Sequence, residues 1–316
     1  MQDVIIVGGG LTGLSAAWEL EQRHIPYRLI EVKKRLGGSI TSKREAGFVL
    51  DGSAFVLEKY GEWPFLAELG LDDAITPIGN YRDGQLVIFK NGTQTLIDAL
   101  EKRLTAPIMM RMAVSSIGQM SVAQKDTAHP HFGICLENGL LLDARAVIVT
   151  APARYAEHML RALAPEAALL LLDTRYDPVV RVSLGYHRED APDLPADPPF
   201  KFLQRYEIPE RVPADHVLIR AGVRLDDALK TPDEAIQRVR DLLGERRAPV
   251  VQWAYYWPEA DSLSRYLPEH LEAMAAIERL LPRGVVIAGS DYRAKRLDQQ
   301  VEQGRAVARK IAEQLA

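Results

Sequence analysis

The chain has 316 residues, which suits about two domains of ordinary size better than one small core. Hydrophobic residues make up 47% and charged residues 26%, the balance of a soluble globular protein, and a net charge of -4 gives no electrostatic case for nucleic acid as a partner. The lone cysteine, Cys135, excludes an internal disulfide and fits a reducing, cytoplasmic compartment. It lies in the strand-like run FGICLEN, where a thiol serves as a small packing group. The opening MQDVIIVGGG has no basic n-region, so it does not read as a signal peptide. No run of about 18 apolar residues occurs, so no membrane span is expected. The most apolar stretch, EAALLLLD at 166–173, is far too short.

Residues 3–7, DVIIV, form a short apolar, β-branched run of the kind buried on both faces of a parallel sheet. GGGLTG follows. Then LSAAWELEQR carries Leu14, Ala17, Trp18 and Leu20 on one side of a helix. PYRLIEV at 26–32 is a second strand, which completes a βαβ opening. AVIVTAP at 146–152 is another buried strand ending in a loop. Beyond about 175 the texture changes. VVRVSLGYH, PFKFLQRYE, HVLIRAGVRL and VVQWAYYW predict an antiparallel sheet with one wet face. Before the last of these, Thr231 as N-cap, Pro232 at N1 and Glu234 at N3 form a capping box. PEHLEAMAAIERLL at 268–281 is an amphipathic helix, GVVIAGS at 284–290 a buried strand, and DQQVEQGRAVARKIAEQL a closing helix.

The order α/β, antiparallel β, α/β predicts a doubly wound, mostly parallel Rossmann-type domain interrupted by an α+β substrate domain. The expected boundaries are 1–75, 92–152 and 282–316 for the nucleotide domain, and 76–91 with 153–281 for the substrate domain.

Gly8, Gly10 and Gly13 satisfy G-x-G-x-x-G between a buried strand and a helix, the context this motif requires. Gly8 permits the tight turn, Gly10 the approach of a pyrophosphate, and Gly13 close packing of helix on strand. Leu11 and Thr12 complete the loop, and the helix N-terminus offers its free N–H groups to phosphate. Glu31, at the end of the second strand, accepts hydrogen bonds from a ribose diol and repels a 2′-phosphate. That favours FAD or NAD over NADP.

Just past Glu31 stand Lys33, Arg35 and the pair Gly37–Gly38. Together they resemble the second FAD motif, E-x-x-x-R-x-G-G-[RK], of the flavin amine oxidase and protoporphyrinogen oxidase superfamily. The resemblance continues along nearly the whole chain: GFVLDGSAFVL at 47–57, LAELGLDDAITPI at 66–78, NGTQTLIDALEKRL at 91–104, AVIVTAPA, and the final VVIAGSDYRAKRLDQQVEQGRAVARKI, with Gly289, Tyr292, Arg293 and Gly304 matching. It implies FAD as cofactor and adds Val114, Gly289, Ser290 and Leu297 to its contacts.

Three departures stand out. Ser39 occupies the place of the basic residue usual after the glycine pair, so a neutral hydrogen bond replaces a charge-assisted one, with Lys33, Lys34 or Arg35 in part compensating. Ser290 follows Gly289 where Asp or Asn is usual, with Asp291 one place late, and AKRLD replaces a glycine-rich turn. There the amides of Leu297 and Asp298 and the charges of Lys295 or Arg296 are left to face the flavin. Finally, YRDGQLVIFKNGTQTL runs straight across the place of a long helical insertion. The compact size resembles the renalase-like branch and leaves the flavin face either open or covered by a second copy in a homo-oligomer.

The resemblance implies hydride transfer to flavin from a C–N or C–C bond of a small aromatic or heterocyclic substrate, with oxygen as acceptor. The alternatives are renalase-like oxidation of a dihydronicotinamide and a flavin-binding protein without turnover. No G-x-S-x-G, no H-E-x-x-H and no clustered Cys/His ligands are present, and His129 and His131 around Pro130 do not read as a metal site. With Cys135 the sole cysteine, attachment of the flavin through a C-terminal cysteine is excluded, so the FAD is expected to be non-covalent. Catalytic residues are not identified. The candidates for substrate contact are Arg181, Tyr255, Trp257, Tyr292 and Arg293, aromatic walls and guanidinium groups suited to a planar or anionic molecule.

Overall fold

A computed structural model of the protein describes residues 2–120, 130–224, 231–244, 247–259 and 262–316. His129 and Leu225, both named above, lie outside the described residues. The chain forms two compact units, Met1–Gly38 with Ile97–Arg175 and Ser262–Ala316, and Ser39–Leu96 with Tyr176–Asp261.

The first unit is built on a seven-stranded sheet. Gln2–Val7 lies at its centre, paired in parallel with Tyr27–Glu31 on one side and Leu141–Val149 on the other. Val4, Ile5, Ile6, Leu29, Val147 and Ile148 are almost wholly buried, as a strand covered on both faces requires. Ile108–Met110 and Val285–Ile287 add further parallel strands. Phe132–Leu136 and Val114–Gln119 extend the sheet antiparallel from the first half of the long Leu141–Val149 strand.

The closing helix, Leu297–Leu315, packs on the first helix, Leu11–Gln22. Contact is so close that a Cβ on Gly304 would stand 2.3 Å from the Thr12 carbonyl oxygen. Across the other face, the helices Ala153–Leu160, Pro165–Leu172 and His270–Leu280 bury Leu160, Leu171, Met274 and Ile277 in one core with Val147 and Val285. Residues 153–175 and 262–281 therefore pack in the nucleotide unit, not in the substrate domain where they were expected.

The second unit contains a four-stranded antiparallel sheet ordered Phe202–Tyr206, His216–Arg224, Val179–His187, Val251–Tyr256. Its one face carries Val180, Val182, Leu184, Ile219 and Ala221 against the helix Pro232–Leu243. That helix has the expected capping box: the Thr231 hydroxyl accepts from the Glu234 N–H at 3.3 Å, and the Glu234 carboxylate accepts from the Thr231 N–H at 2.9 Å. The other face is covered too, by Phe48, Leu50 and Phe55. This corrects the expectation of a wet face. Gly185 makes the cover possible, since a Cβ there would come within 2.6 Å of the Phe48 ring. The covering strand Phe48–Asp51 draws 39–75 into this unit rather than into the nucleotide domain. A three-stranded sheet of Leu57–Lys59, Gly84–Phe89 and Ile75–Tyr81 completes the unit.

Candidate cofactor site

In the first unit the central strand ends at Val7, and Gly8 turns the chain with φ +110°, a conformation that side-chain-bearing residues rarely adopt. Gly10 is the N-cap of the first helix, so the N–H groups of Leu11, Thr12 and Gly13 lie in its first turn, without partners inside the helix. A Cβ on Gly13 would stand 1.9 Å from the Gly8 carbonyl oxygen, so only glycine lets this helix start so close to the strand. Gly37 donates its N–H to the Gly9 carbonyl at 2.8 Å, which ties the second glycine pair to the first loop. Gly10 and Gly38 pack directly against each other: a Cβ on Gly10 would stand 3.9 Å from the Gly38 Cα, and one on Gly38 would stand 3.3 Å from the Gly10 Cα. The two glycine segments therefore run side by side with no side chain projecting from either position.

Glu31 is 6% exposed, and its carboxylate is already oriented. One oxygen accepts from the Gly9 N–H at 2.7 Å, the other from the Lys33 N–H at 2.7 Å. Each oxygen keeps acceptor capacity for a diol. Arg35 bonds the Leu36 carbonyl at 3.0 Å and the Gly38 carbonyl at 2.7 Å, holding the loop with charge-assisted bonds. Ser39 accepts a hydrogen bond from the Ser53 hydroxyl at 2.7 Å through its carbonyl. Met112 donates its N–H to the Glu31 carbonyl, and Val114, two residues on, is buried in the core. Together the open N–H groups, the oriented carboxylate and the paired glycine segments without side chains match the phosphate, ribose and backbone-approach needs of a dinucleotide, so the residues present fit one.

The C-terminal segment departs from expectation. Gly289 has φ +141° and donates its N–H to the Gln303 side chain at 2.9 Å. Asp291 does not stand in for the usual acid. It is 3% exposed and accepts the Ala153 N–H at 3.0 Å, capping the helix Ala153–Leu160. Ser290 is half-buried beside it. The turn before Leu297 closes without glycine because the Gln299 side chain accepts the N–H groups of Lys295 and Arg296, at 3.0 and 3.1 Å. Arg296 pairs with Asp298 at 3.0 Å, so its charge is taken up locally, and Leu297 is buried.

The five candidates for substrate contact do not share one fate. Tyr292 is 2% exposed and donates its hydroxyl to the Ala151 carbonyl at 2.7 Å, a core role. Arg293 pairs with Glu278 at 2.6 Å on the surface. In the second unit Arg181 and Tyr255 are cross-strand partners, and the Tyr255 ring packs where a Cβ on Gly52 would be, 2.6 Å away. Trp257 is half-buried just past that strand. So the structure places Arg181 and Tyr255 side by side on neighbouring strands.

Two arrangements escaped the sequence reading. Thr150 donates its hydroxyl to the Gly8 carbonyl at 2.9 Å. In the second unit, Asp51 is the centre of a buried network, accepting the Thr93 N–H at 3.0 Å, the Ser42 hydroxyl, and a guanidinium N–H of Arg211 at 2.7 Å. Arg211 is fully buried and also bonds the Val49 and Phe89 carbonyls, both at 2.9 Å. Arg220 donates to the Asp51 carbonyl at 2.7 Å, and its burial pushes the guanidinium pKa down to about 10.

The family model of flavin containing amine oxidoreductases matches residues 78–312, well over half of the chain. The chain belongs to this family. A model of the NAD(P)-binding Rossmann-like domain matches residues 6–69, across the glycine loop and Glu31. Among curated proteins, coproporphyrinogen III oxidase of Bacillus subtilis is 33% identical over 98 residues, covering 28% of this chain and 20% of that one. The Propionibacterium freudenreichii coproporphyrinogen III oxidase is 32% identical over 81 residues, 25% of this chain and 15% of that one. The matches thus span a fifth or less of those relatives' length. Among solved structures, a candidate protoporphyrinogen oxidase from Exiguobacterium sp. 255-15 superposes with TM-score 0.79 at 15% identity, covering 98% of both chains. Putrescine oxidase bound to putrescine gives TM-score 0.70 at 13% identity over 99% of both. At such identities these neighbours share the fold. Among the described residues no helix is long and apolar enough to cross a membrane.

Proposed function

We propose that this family member binds FAD without a covalent bond in its first unit and oxidises a C–N or C–C bond of a small aromatic or heterocyclic substrate, with oxygen as final acceptor. The observation that carries the reading is the open first turn of the helix after Gly10, lined by the side-chain-free pair Gly10 and Gly38 and set beside an oriented Glu31. FAD, when bound, supplies the hydride-accepting ring, and the protein supplies binding, orientation and electrostatics. Gly8, Gly10, Leu11, Thr12 and Gly13 serve the pyrophosphate, Glu31 the ribose, and Gly37, Gly38 and Ser39 the second strip of backbone along the cofactor. Lys33 brings positive charge nearby, while the charge of Arg35 is engaged in holding the loop. Arg181 and Tyr255, adjacent in the second unit, are the joint candidates for substrate contact, with Trp257 nearby in sequence.

The names of the relatives and neighbours set the panel for the test. Anaerobic mixing of the FAD-loaded protein with porphyrinogens, amines and dihydronicotinamides is expected to bleach the flavin absorbance with one of these classes. If dithionite bleaches it and none of them does, the turnover reading fails and a flavin-binding protein without turnover takes its place.

Ser39→Arg adds the charge that the second motif lacks, and since Arg35 is occupied with loop carbonyls the new guanidinium is not redundant. Its expected effect is a roughly 3- to 10-fold tighter FAD dissociation constant, the scale of one exposed charge-assisted bond. An unchanged constant in flavin fluorescence titration would mean that Lys33 or Lys34 already supplies the charge.

A further inference from the structure

We infer that Thr150 is a positioning residue for the cofactor, acting through a single peptide plane to aim the Glu31 carboxylate; this rests on the FAD reading above. Thr150 follows the strand Leu141–Val149, and its N–H continues the ladder to the Val7 carbonyl at 2.8 Å. Its hydroxyl lies within hydrogen-bond reach of two carbonyls, Gly8 at 2.9 Å and Val7 at 3.1 Å; the Val7 carbonyl already accepts the Thr150 N–H, so the single hydroxyl proton is assigned to the nearer Gly8 oxygen. The N–H at the other end of that same peptide, on Gly9, donates to Glu31 at 2.7 Å. A peptide unit is planar, so its carbonyl and its N–H cannot turn independently. Gly8 adds no restraint of its own, because glycine tolerates rotation that other residues resist. The plane is therefore held from outside, at one end by the Thr150 hydroxyl and at the other by the Glu31 carboxylate. Loss of either lets the Gly8–Gly9 peptide tilt. Loss of the hydroxyl also leaves a part-buried carbonyl with one hydrogen bond fewer.

The packing around the hydroxyl is tight on both sides. A Cβ on Gly8 or on Gly13 would come within 2.7 Å of the Thr150 Oγ1, so two of the three motif glycines are small partly to admit it. An isosteric valine keeps the shape and removes only the hydrogen bond, and a serine keeps the hydrogen bond and removes only the methyl.

The test is a double-mutant cycle on the dissociation constant of FAD, measured by quenching of flavin fluorescence in the full chain. Thr150→Val is expected to weaken binding roughly 3- to 10-fold, the scale of one lost hydrogen bond, and Thr150→Ser to stay within about 2-fold of the wild type. Glu31→Gln weakens binding by itself. The double variant Thr150→Val/Glu31→Gln is expected to lose less than the product of the two single effects, because both act through one peptide. Single effects that multiply, or a serine variant as weak as the valine one, would overturn the inference and leave Thr150 a packing residue. If the valine variant does not fold, Thr150→Ala carries the same cycle. A wild type that binds no FAD at all would instead overturn the cofactor reading.

Discussion

Gly13→Ala is expected to weaken FAD binding roughly 10- to 100-fold and to lower the melting temperature. At most helix positions glycine to alanine is stabilising by up to about 1 kcal/mol. Here the added Cβ would stand 1.9 Å from the Gly8 carbonyl oxygen and 2.7 Å from the Thr150 hydroxyl. The nearest atom is backbone, so neither a rotamer change nor a flexible side chain can relieve the contact. The helix start must move away from the strand, and overpacking of this kind costs about 1–3 kcal/mol. The displaced groups are the N–H donors proposed to hold the phosphates, so on that proposal the strain falls on the ligand as well as the fold. Flavin retained on purification and the thermal melt check it together. A variant with raised melting temperature and normal flavin content would show that helix and strand do not meet as closely as described.

Asp51→Ala is expected to destabilise the second unit by about 3–5 kcal/mol, the cost of leaving one partner of a buried ion pair alone. Asp51 and Arg211 are 1% and 0% exposed, and the pair joins segments 160 residues apart. Removing the carboxylate strands the Arg211 guanidinium and frees the N–H of Thr93, which begins the segment that leads into the helix Gln94–Glu101. Arg220, whose pKa burial already depresses, loses a neighbouring negative charge at the same time. The drop in melting temperature should be roughly 10 °C, given the usual shift per kcal/mol for a unit of this size. The double variant Asp51→Ala/Arg211→Met should recover part of the loss, since it removes the stranded charge. A single variant melting within about 1 °C of the wild type would contradict the role given to this network.

The candidate cofactor site was legible in the sequence because the features proposed for it are carried by backbone. Gly8, Gly10, Gly13, Gly37 and Gly38 are needed for what their missing side chains allow, and such positions leave a spaced pattern that can be read in one dimension. Glu31 was legible for the same reason, at a fixed distance from the loop. The Thr150 hydroxyl was not, because its partner lies 142 residues away and a threonine at a strand end has no distinguishing pattern. Asp51 sat in a segment that was noticed, but its meaning depends on Arg211 and Arg220, which no spacing rule connects to it.

Tyr292 shows the opposite case. Its place beside the C-terminal motif suggested substrate contact, but it is buried and its hydroxyl donates to the Ala151 carbonyl. The unit boundaries were missed because periodicity identifies the apolar face of a helix such as His270–Leu280 but not the core that receives it. The wet face expected of the antiparallel sheet failed at Gly185, whose absent side chain admits Phe48 from a strand outside that sheet.

The most direct measurement is the visible spectrum of the purified protein, followed by chromatography of the supernatant after heat denaturation. A flavin spectrum with FAD released into the supernatant is the expected result. A colourless protein that gains no flavin absorbance on incubation with FAD, or one whose chromophore stays with the precipitate, would contradict the account.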